Sequence, residues 1–261
     1  MDFKVTKSGV PILKKEEIEV CATKVLSDYD ITLLHEPRAV PIEDIIETYL
    51  KLDVDYKTLD KDGSILGMTV FNNGYLDVYN QDLENDERIK ISKGTILIDN
   101  SLVEDNKHLH RFRFTCSHEA SHWILHRGRF DREIEGQMNF LDEYSQSNAV
   151  KCLNRNVENA FGYKEVGFRC DEDWLEWQAD YMGAALLIPK YPLVKEFIKM
   201  LNVLGIKEPY LYLDDQPCNI RNYELVIGRL VNVFNVSKKA VHIRLAKLNL
   251  LRGEDKQLFF T

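Results

Sequence analysis

The stretch His118–His122, with the sequence HEASH, decides how the rest of this chain is interpreted. It places two histidines four residues apart and a glutamate beside the first, which is the H-E-x-x-H pattern. On an α-helix this step leaves the two side chains about 40° apart around the axis and about 6 Å apart along it. His118 and His122 can therefore reach one metal ion. Glu119 lies close enough to act on water that the metal activates.

Residues on both sides of HEASH favour a helix. Apolar bulk is supplied by Phe112, Phe114, Trp123, Ile124 and Leu125. Thr115 or Ser117 is predicted to cap the start of this helix. A pattern of five residues also arises by chance, so a metal site needs a third ligand from elsewhere in the chain.

That ligand is predicted in a second apolar helix, residues 174–189, which ends near Pro189. Glu176 and Asp180 are four residues apart and project from one face of it. Two like charges on an apolar helix are costly unless a positive group meets them. We predict that Glu176 completes a His, His, Glu zinc site, and that Asp180 accepts a hydrogen bond from the second ring nitrogen of a ligand histidine. The alternative is that both are surface charges.

His126 follows at the next helical step and is not predicted to be a ligand. Its axial distance from His118 is about 12 Å, which is too long for both rings to meet one ion. We expect it either to contact a metal ligand or to lie at the end of the helix.

Three segments, Arg113–His126, Glu176–Asp180 and Leu186–Pro189, resemble the ImmA/IrrE family of metallo-endopeptidases. The family pattern is roughly R-F-T-x-x-H-E-x-x-H-x-x-x-H, followed by E-x-x-A-[ND]-x-F-A and L-L-M-P. This chain departs from it at Ala120-Ser121, where Leu-Gly is common, at Tyr181–Gly183, and in a long spacer between the second and third ligands. None of these departures removes a ligand.

The resemblance implies a gluzincin-type site with a specific assignment of roles. His118, His122 and Glu176 would bind Zn²⁺, and Glu119 would be the catalytic carboxylate. It also implies a narrow protein substrate, typically a helix-turn-helix repressor of a mobile element or stress response. The family's C-terminal unit resembles a packing or substrate-positioning module.

The expected fold is α+β. Helices are predicted at 16–28 and 41–52, and a small, largely antiparallel sheet is predicted to pack on the HExxH helix and the Glu176 helix in a compact gluzincin-like arrangement. Its strands are predicted at 54–59, 64–71, 75–79 and 94–100, with a hairpin at Asn73-Gly74. The last strand could offer an edge to an extended ligand, or be an ordinary strand covered by its neighbours.

Three regions are predicted along the chain. Residues 1–50 form N-terminal helices, 51–205 a zinc peptidase domain with an insertion at about 128–172, and 206–261 a helix-turn-helix-like unit. That unit has helical runs at 223–234 and 237–248, with Ser237 as an N-cap. Six basic residues and no acidic one lie between Arg229 and Arg252. DNA contact is nevertheless not expected, because apolar residues of the second helix need burial.

Composition narrows the function classes. The chain has 34 basic and 42 acidic residues, a net charge of −8, which disfavours DNA binding by the chain as a whole. Its apolar runs are too short to span a membrane. Five cysteines without C-x-x-C spacing indicate free thiols in a reducing cytoplasm.

We therefore predict a cytoplasmic zinc-dependent endopeptidase that makes site-specific cuts in a transcriptional repressor or other regulatory protein. Two alternatives remain. One is a module that sequesters a regulator and uses zinc for structure. The other is a DNA-binding regulator that uses residues 237–248.

Overall fold

The structure is a computed structural model that describes residues 3–138, 152–156 and 170–253. Contacts divide the chain into two compact units, one of residues 1–18 and 41–183 and the other of residues 19–40 and 184–261. The predicted region boundaries near 50 and 205 stay predictions. The helices are α1 (Lys15–Asp30), α2 (Ile42–Asp44), α3 (Leu109–Met138), α4 (Asp171–Leu187), α5 (Lys190–Val203), α6 (Pro217–Phe234) and α7 (Lys238–Lys247).

The strands make the fold α+β, as predicted. They are β1 (Asp53–Lys57), β2 (Ile65–Val70), β3 (Gly74–Asn80), β4 (Asn85–Ile91), β5 (Thr95–Asp99), β6 (Cys152–Asn156), β7 (Leu211–Leu213) and β8 (Leu251–Gly253). Four of them form a sheet in the order β1-β5-β2-β6. Two of the three pairings in that sheet are antiparallel and the β1–β5 pairing is parallel. The compact gluzincin-like arrangement stays a prediction.

The hairpin predicted at Asn73-Gly74 is wrong. Strand β2 pairs with β5 and β6, whereas β3 pairs with β4 in a separate two-stranded ribbon. Strand β4 is not among the predicted strands. Most of its residues are exposed, so the apolar alternation that marks a half-buried strand is absent from its sequence.

Strand β5 has no free edge, so the expectation that it could pair with an extended ligand is wrong. It lies between β1 and β2, and all five of its residues are buried. A run of consecutive apolar residues is typical of a strand covered on both faces. The alternative of an ordinary strand covered by its neighbours is therefore correct.

Helix α3 packs on this sheet and continues past the HEASH stretch in both directions. It begins at Leu109, so Thr115 and Ser117 lie inside it and the prediction that one of them is the N-cap is wrong. The Ser117 hydroxyl instead donates to the Gly183 carbonyl of α4 at 2.9 Å. A Cβ atom on Gly183 would lie 3.3 Å from the His118 backbone nitrogen, so the small residue lets the two helices approach closely.

Most of the insertion predicted at about 128–172 lies outside the described residues. Its described parts are the end of α3, strand β6 and the start of α4. Strand β6 pairs with β2 and so belongs to the sheet. No helix among the described residues is both long enough and apolar enough to cross a membrane.

The second unit contains the two predicted C-terminal helices, α6 and α7. Ser237 caps α7 as predicted, since its side chain accepts from the Ala240 backbone nitrogen at 3.1 Å. Helix α6 begins at Pro217, earlier than predicted. That these two helices form a helix-turn-helix-like unit stays a prediction.

Candidate metal centre

Helices α3 and α4 bring His118, His122 and Glu176 together in the first unit. Their ligand atoms all lie within 4.8 Å of one another, and all three residues are buried. Each glutamate oxygen faces one imidazole, with Oε2 3.2 Å from His118 Nε2 and Oε1 3.3 Å from His122 Nε2. The two Nε2 atoms are 2.9 Å apart. This group could therefore hold a metal ion.

The chemistry of this donor set fits a cation. Burial acts to raise the pKa of Glu176, but the imidazoles of His122 and His118 outweigh it and hold that pKa below its ordinary value. The carboxylate is thus ionised in a buried place, where a charge is costly unless a positive group meets it. Two ring nitrogens and one carboxylate that converge on one point would share such a positive group.

Asp180 contacts His118, in the position that the helical spacing predicts. Its Oδ1 lies 2.9 Å from His118 Nδ1. A carboxylate accepts, so Nδ1 carries a proton, and in the neutral ring Nε2 then keeps its lone pair on the side of Glu176. Glu176 and Asp180 therefore both meet histidines, and the alternative of two surface charges is not what the geometry shows.

Glu119 lies beside the group without belonging to it. It is fully buried, and the Thr69 hydroxyl of β2 contacts its Oε2 at 2.7 Å. Its other oxygen, Oε1, has no hydrogen-bond partner among the described residues. Burial raises the pKa of this carboxyl, and the imidazoles of His118 and His122 oppose that rise only in part.

Gly67 of β2 makes room for Glu119 against the sheet. A Cβ atom at this position would lie 2.6 Å from Thr115 Cγ2 and 2.9 Å from Glu119 Oε1. A glycine inside a strand often marks such a close approach. Gly67 thus fixes how near the strand and the H-E-x-x-H helix come at this point.

His126 is not a member of the metal-binding group among the described residues, but it contacts one member. Its Nδ1 lies 3.0 Å from His122 Nδ1, and its Nε2 lies 3.1 Å from Gln178 Oε1. Burial, reinforced by His122, holds the pKa of His126 well below its ordinary value, so the ring is neutral. Helix α3 continues to Met138, so the alternative of a helix-end residue is wrong.

Three residues that take part in the hydrogen bonds around the candidate site were not predicted from the sequence, namely Thr69, Gln178 and Pro11. Gln178 Nε2 donates to the Pro11 carbonyl at 2.7 Å. The side chains of Thr69 and Gln178 are fully buried. In the sequence, Thr69 is a polar residue within an apolar run and Gln178 lies between Trp177 and Ala179, and a polar residue at such a position is the signal that could have found them. No such signal exists for Pro11, because only its backbone carbonyl takes part.

The described residues thus contain a buried group of two imidazoles and one carboxylate, with a further buried carboxylate beside it. The two imidazoles and Glu176 could hold a metal ion. In comparisons with known proteins, no family model and no curated protein matches this chain.

Proposed function

We propose that this protein is a zinc-dependent endopeptidase that makes site-specific cuts in a transcriptional repressor or another regulatory protein, and that it acts in the cytoplasm. The observation that carries the proposal is the burial and the hydrogen bonding of the Glu119 side chain. It is a buried carboxylate outside the ligand group, with one oxygen bonded to Thr69 and the other without a partner among the described residues. A purely structural metal site has no use for such a group.

The donor set supports a catalytic zinc ion. Two histidines and one glutamate are the protein ligands of a known class of catalytic zinc site, whereas structural zinc sites usually take four ligands rich in cysteine. Calcium and magnesium take oxygen ligands, so two imidazoles disfavour them. Zinc is the metal that the resemblance to the ImmA/IrrE family also implies.

The roles of the chain's own residues follow from their positions. A bound zinc ion would supply polarisation of the scissile carbonyl and acidification of a water molecule. Glu119 would take the proton of the attacking water on Oε1 and pass it to the leaving amine. Thr69 would hold Oε2 during this transfer. Asp180 would keep the His118 ring in its orientation.

Metal content tests the centre itself. Wild-type protein purified without chelators should carry about one equivalent of zinc, as expected for a single three-ligand site. His118→Ala and Glu176→Ala should lose it, while Glu119→Gln should keep it. Low zinc in the wild type, unchanged by His118→Ala, would contradict the proposal.

A cleavage assay distinguishes the proposed enzyme from a module that only sequesters a regulator. Glu119→Gln should trap an intact protein partner in cells, and purified wild-type protein should then cut that partner at one site, read by mass spectrometry. Glu119→Gln should be slower by about 10²- to 10⁴-fold, the usual contribution of a general base. A partner that binds both proteins and stays intact would instead indicate a sequestering module with structural zinc.

The repressor substrate rests on the family resemblance, and DNA contact by α7 is not part of the proposal. Arg244, one of the six basic residues near this helix, is buried and bonded to Glu19. Arg229 and Lys238 are paired with Glu196 and Glu224. We expect no binding of a DNA duplex at low salt in a gel-shift assay; salt-sensitive binding would revive the DNA-binding alternative.

A further inference from the structure

A chain of hydrogen bonds runs from the backbone of the N-terminal segment to His122. It passes from the Pro11 carbonyl to Gln178, from Gln178 to His126, and from His126 to His122. All three side chains are fully buried. The proposed mechanism does not use His126, Gln178 or Pro11, so their convergence on one ligand histidine needs its own account.

The direction of every bond in this chain is set at the Pro11 end. A carbonyl oxygen can only accept, so the atom of Gln178 at 2.7 Å from it must be the amide nitrogen. The amide oxygen then faces His126 Nε2 at 3.1 Å and requires a donor there. His126 therefore carries its proton on Nε2.

The remaining bond follows from the same rule. His126 is fully buried between the uncharged Gln178 amide and His122, where a charged ring is disfavoured, and its one N–H already donates to Gln178. Its Nδ1 is therefore an acceptor. His122 Nδ1, 3.0 Å away, must then be the donor. Its Nδ1 therefore carries a proton, and in the neutral ring the lone pair of His122 lies on Nε2, which is the atom that faces Glu176.

We propose that His126 is a positioning residue which, through the Pro11–Gln178 link, fixes His122 as the Nδ1–H tautomer and so directs the Nε2 lone pair of His122 to the metal. The two ligand histidines are then oriented by different means. His118 uses the carboxylate of Asp180, whereas His122 uses an uncharged relay that ends on the backbone. The inference rests on the proposed function for the identity of the metal, but not for the tautomer.

Two substitutions of His126 test this. In His126→Asn the amide oxygen lies near the position of the imidazole Nδ1 and can still accept from His122, whereas His126→Leu fills similar space without an acceptor. His126→Leu should weaken zinc binding by about 10- to 100-fold, the usual effect of losing such a partner, and His126→Asn should stay close to wild type. Zinc affinity is measured by competition with a chromophoric chelator.

The tautomer is read independently of zinc. Long-range ¹H–¹⁵N NMR spectra of the full-length, metal-free protein with labelled histidine should show His122 protonated on Nδ1 in the wild type and in His126→Asn. His126→Leu should show a mixture of the two tautomers. Substituting the partly exposed His110 of the same helix by leucine is the matched control and should change neither measurement.

The outcomes separate the two proposals. A wild-type protein with no affinity for zinc would contradict the proposed function, while the tautomer measured in that same protein would still decide the relay. A His122 ring without a proton on Nδ1 in the wild type would overturn the inference. It would also be overturned if His126→Asn lost as much zinc affinity as His126→Leu, because packing rather than hydrogen bonding would then explain the loss.

Discussion

At the scale of single residues, the Glu119 side chain is held in place by one neighbour, Thr69. The Thr69 hydroxyl lies 2.7 Å from Glu119 Oε2 and 2.9 Å from the Glu119 carbonyl oxygen. The carboxylate is therefore held on one side while Oε1 is left without a partner among the described residues. In the proposed function Glu119 accepts a proton, for which it needs a fixed position and an oxygen with an unused lone pair, and this arrangement is consistent with that role.

Replacing Thr69 by valine tests this arrangement. Valine has nearly the same shape but no hydroxyl, so Glu119 loses the bond that fixes Oε2. We expect peptidase activity to fall by about 10- to 100-fold, the usual effect of losing a group that orients an active residue. Zinc content should not change.

Thr69→Ser is the matched control, because it keeps the hydroxyl and should recover most of the activity. Activity of Thr69→Val equal to that of the wild type would show that Glu119 does not depend on this bond. Loss of zinc in Thr69→Val would show that the substitution disturbs the metal site itself.

A second prediction at this scale concerns the space at Gly67. In Gly67→Ala the new methyl group would overlap Thr115 Cγ2, which belongs to a β-branched and therefore stiff side chain. Overpacking of this kind usually costs about 1–3 kcal/mol of unfolding free energy. We expect that loss in urea denaturation. The double variant Gly67→Ala with Thr115→Ser should recover part of it, because serine lacks Cγ2.

At the scale of elements, Gly228 of α6 differs from Gly67 because the space around it is free. A Cβ atom on Gly228 would meet nothing within 4 Å, and the residue lies in the interior of a helix. Alanine loses less conformational entropy than glycine in a helix, so Gly228→Ala should stabilise the protein by about 0.5–1 kcal/mol. Urea denaturation measures this as well. A loss of stability would mean that α6 is tighter around Gly228 than the distances show.

The candidate metal centre is formed by side chains from more than one secondary-structure element. Helix α3 supplies both histidines of the candidate metal-binding group, and α4 supplies its glutamate. The close approach of these helices depends on Gly183 and on the bond from Ser117 to its carbonyl. Strand β2 completes the surroundings of Glu119 through Thr69 and Gly67.

At the scale of the whole molecule, contacts far apart in sequence hold the second unit together. Arg244 of α7 is almost fully buried. Its guanidinium bonds both oxygens of Glu19 in α1 and donates to the Ile188 carbonyl. One side chain therefore joins segments from both ends of the chain.

Arg244→Ala should therefore destabilise the protein strongly. It leaves a largely buried Glu19 carboxylate without its guanidinium, and breaking a buried ion pair in this way usually costs about 3–5 kcal/mol. The matched control is Lys238→Ala, which removes an exposed pair with Glu224 and should cost at most about 1 kcal/mol. Equal losses in thermal or urea denaturation would contradict the structural role of Arg244.

The sequence by itself determined the elements and chemistry that depend on local spacing. Residues four apart share a face of a helix wherever that helix lies, so the pairs His118 with His122 and Glu176 with Asp180 were predictable. A buried like-charge pair also requires a positive partner, which pointed to Glu176 as the third ligand. The role of Glu119 as a base and the choice of zinc remain proposals.

Only the tertiary structure decided which distant segments meet. The pairing of β3 with β4 could not be predicted, because β4 is exposed and lacks the pattern of a strand that covers a core. Thr69 lies 50 residues from Glu119, and Pro11 lies 167 residues from Gln178. Hydrogen bonds across such separations form because packing brings the groups together, and the local sequence carries no periodic signal for them.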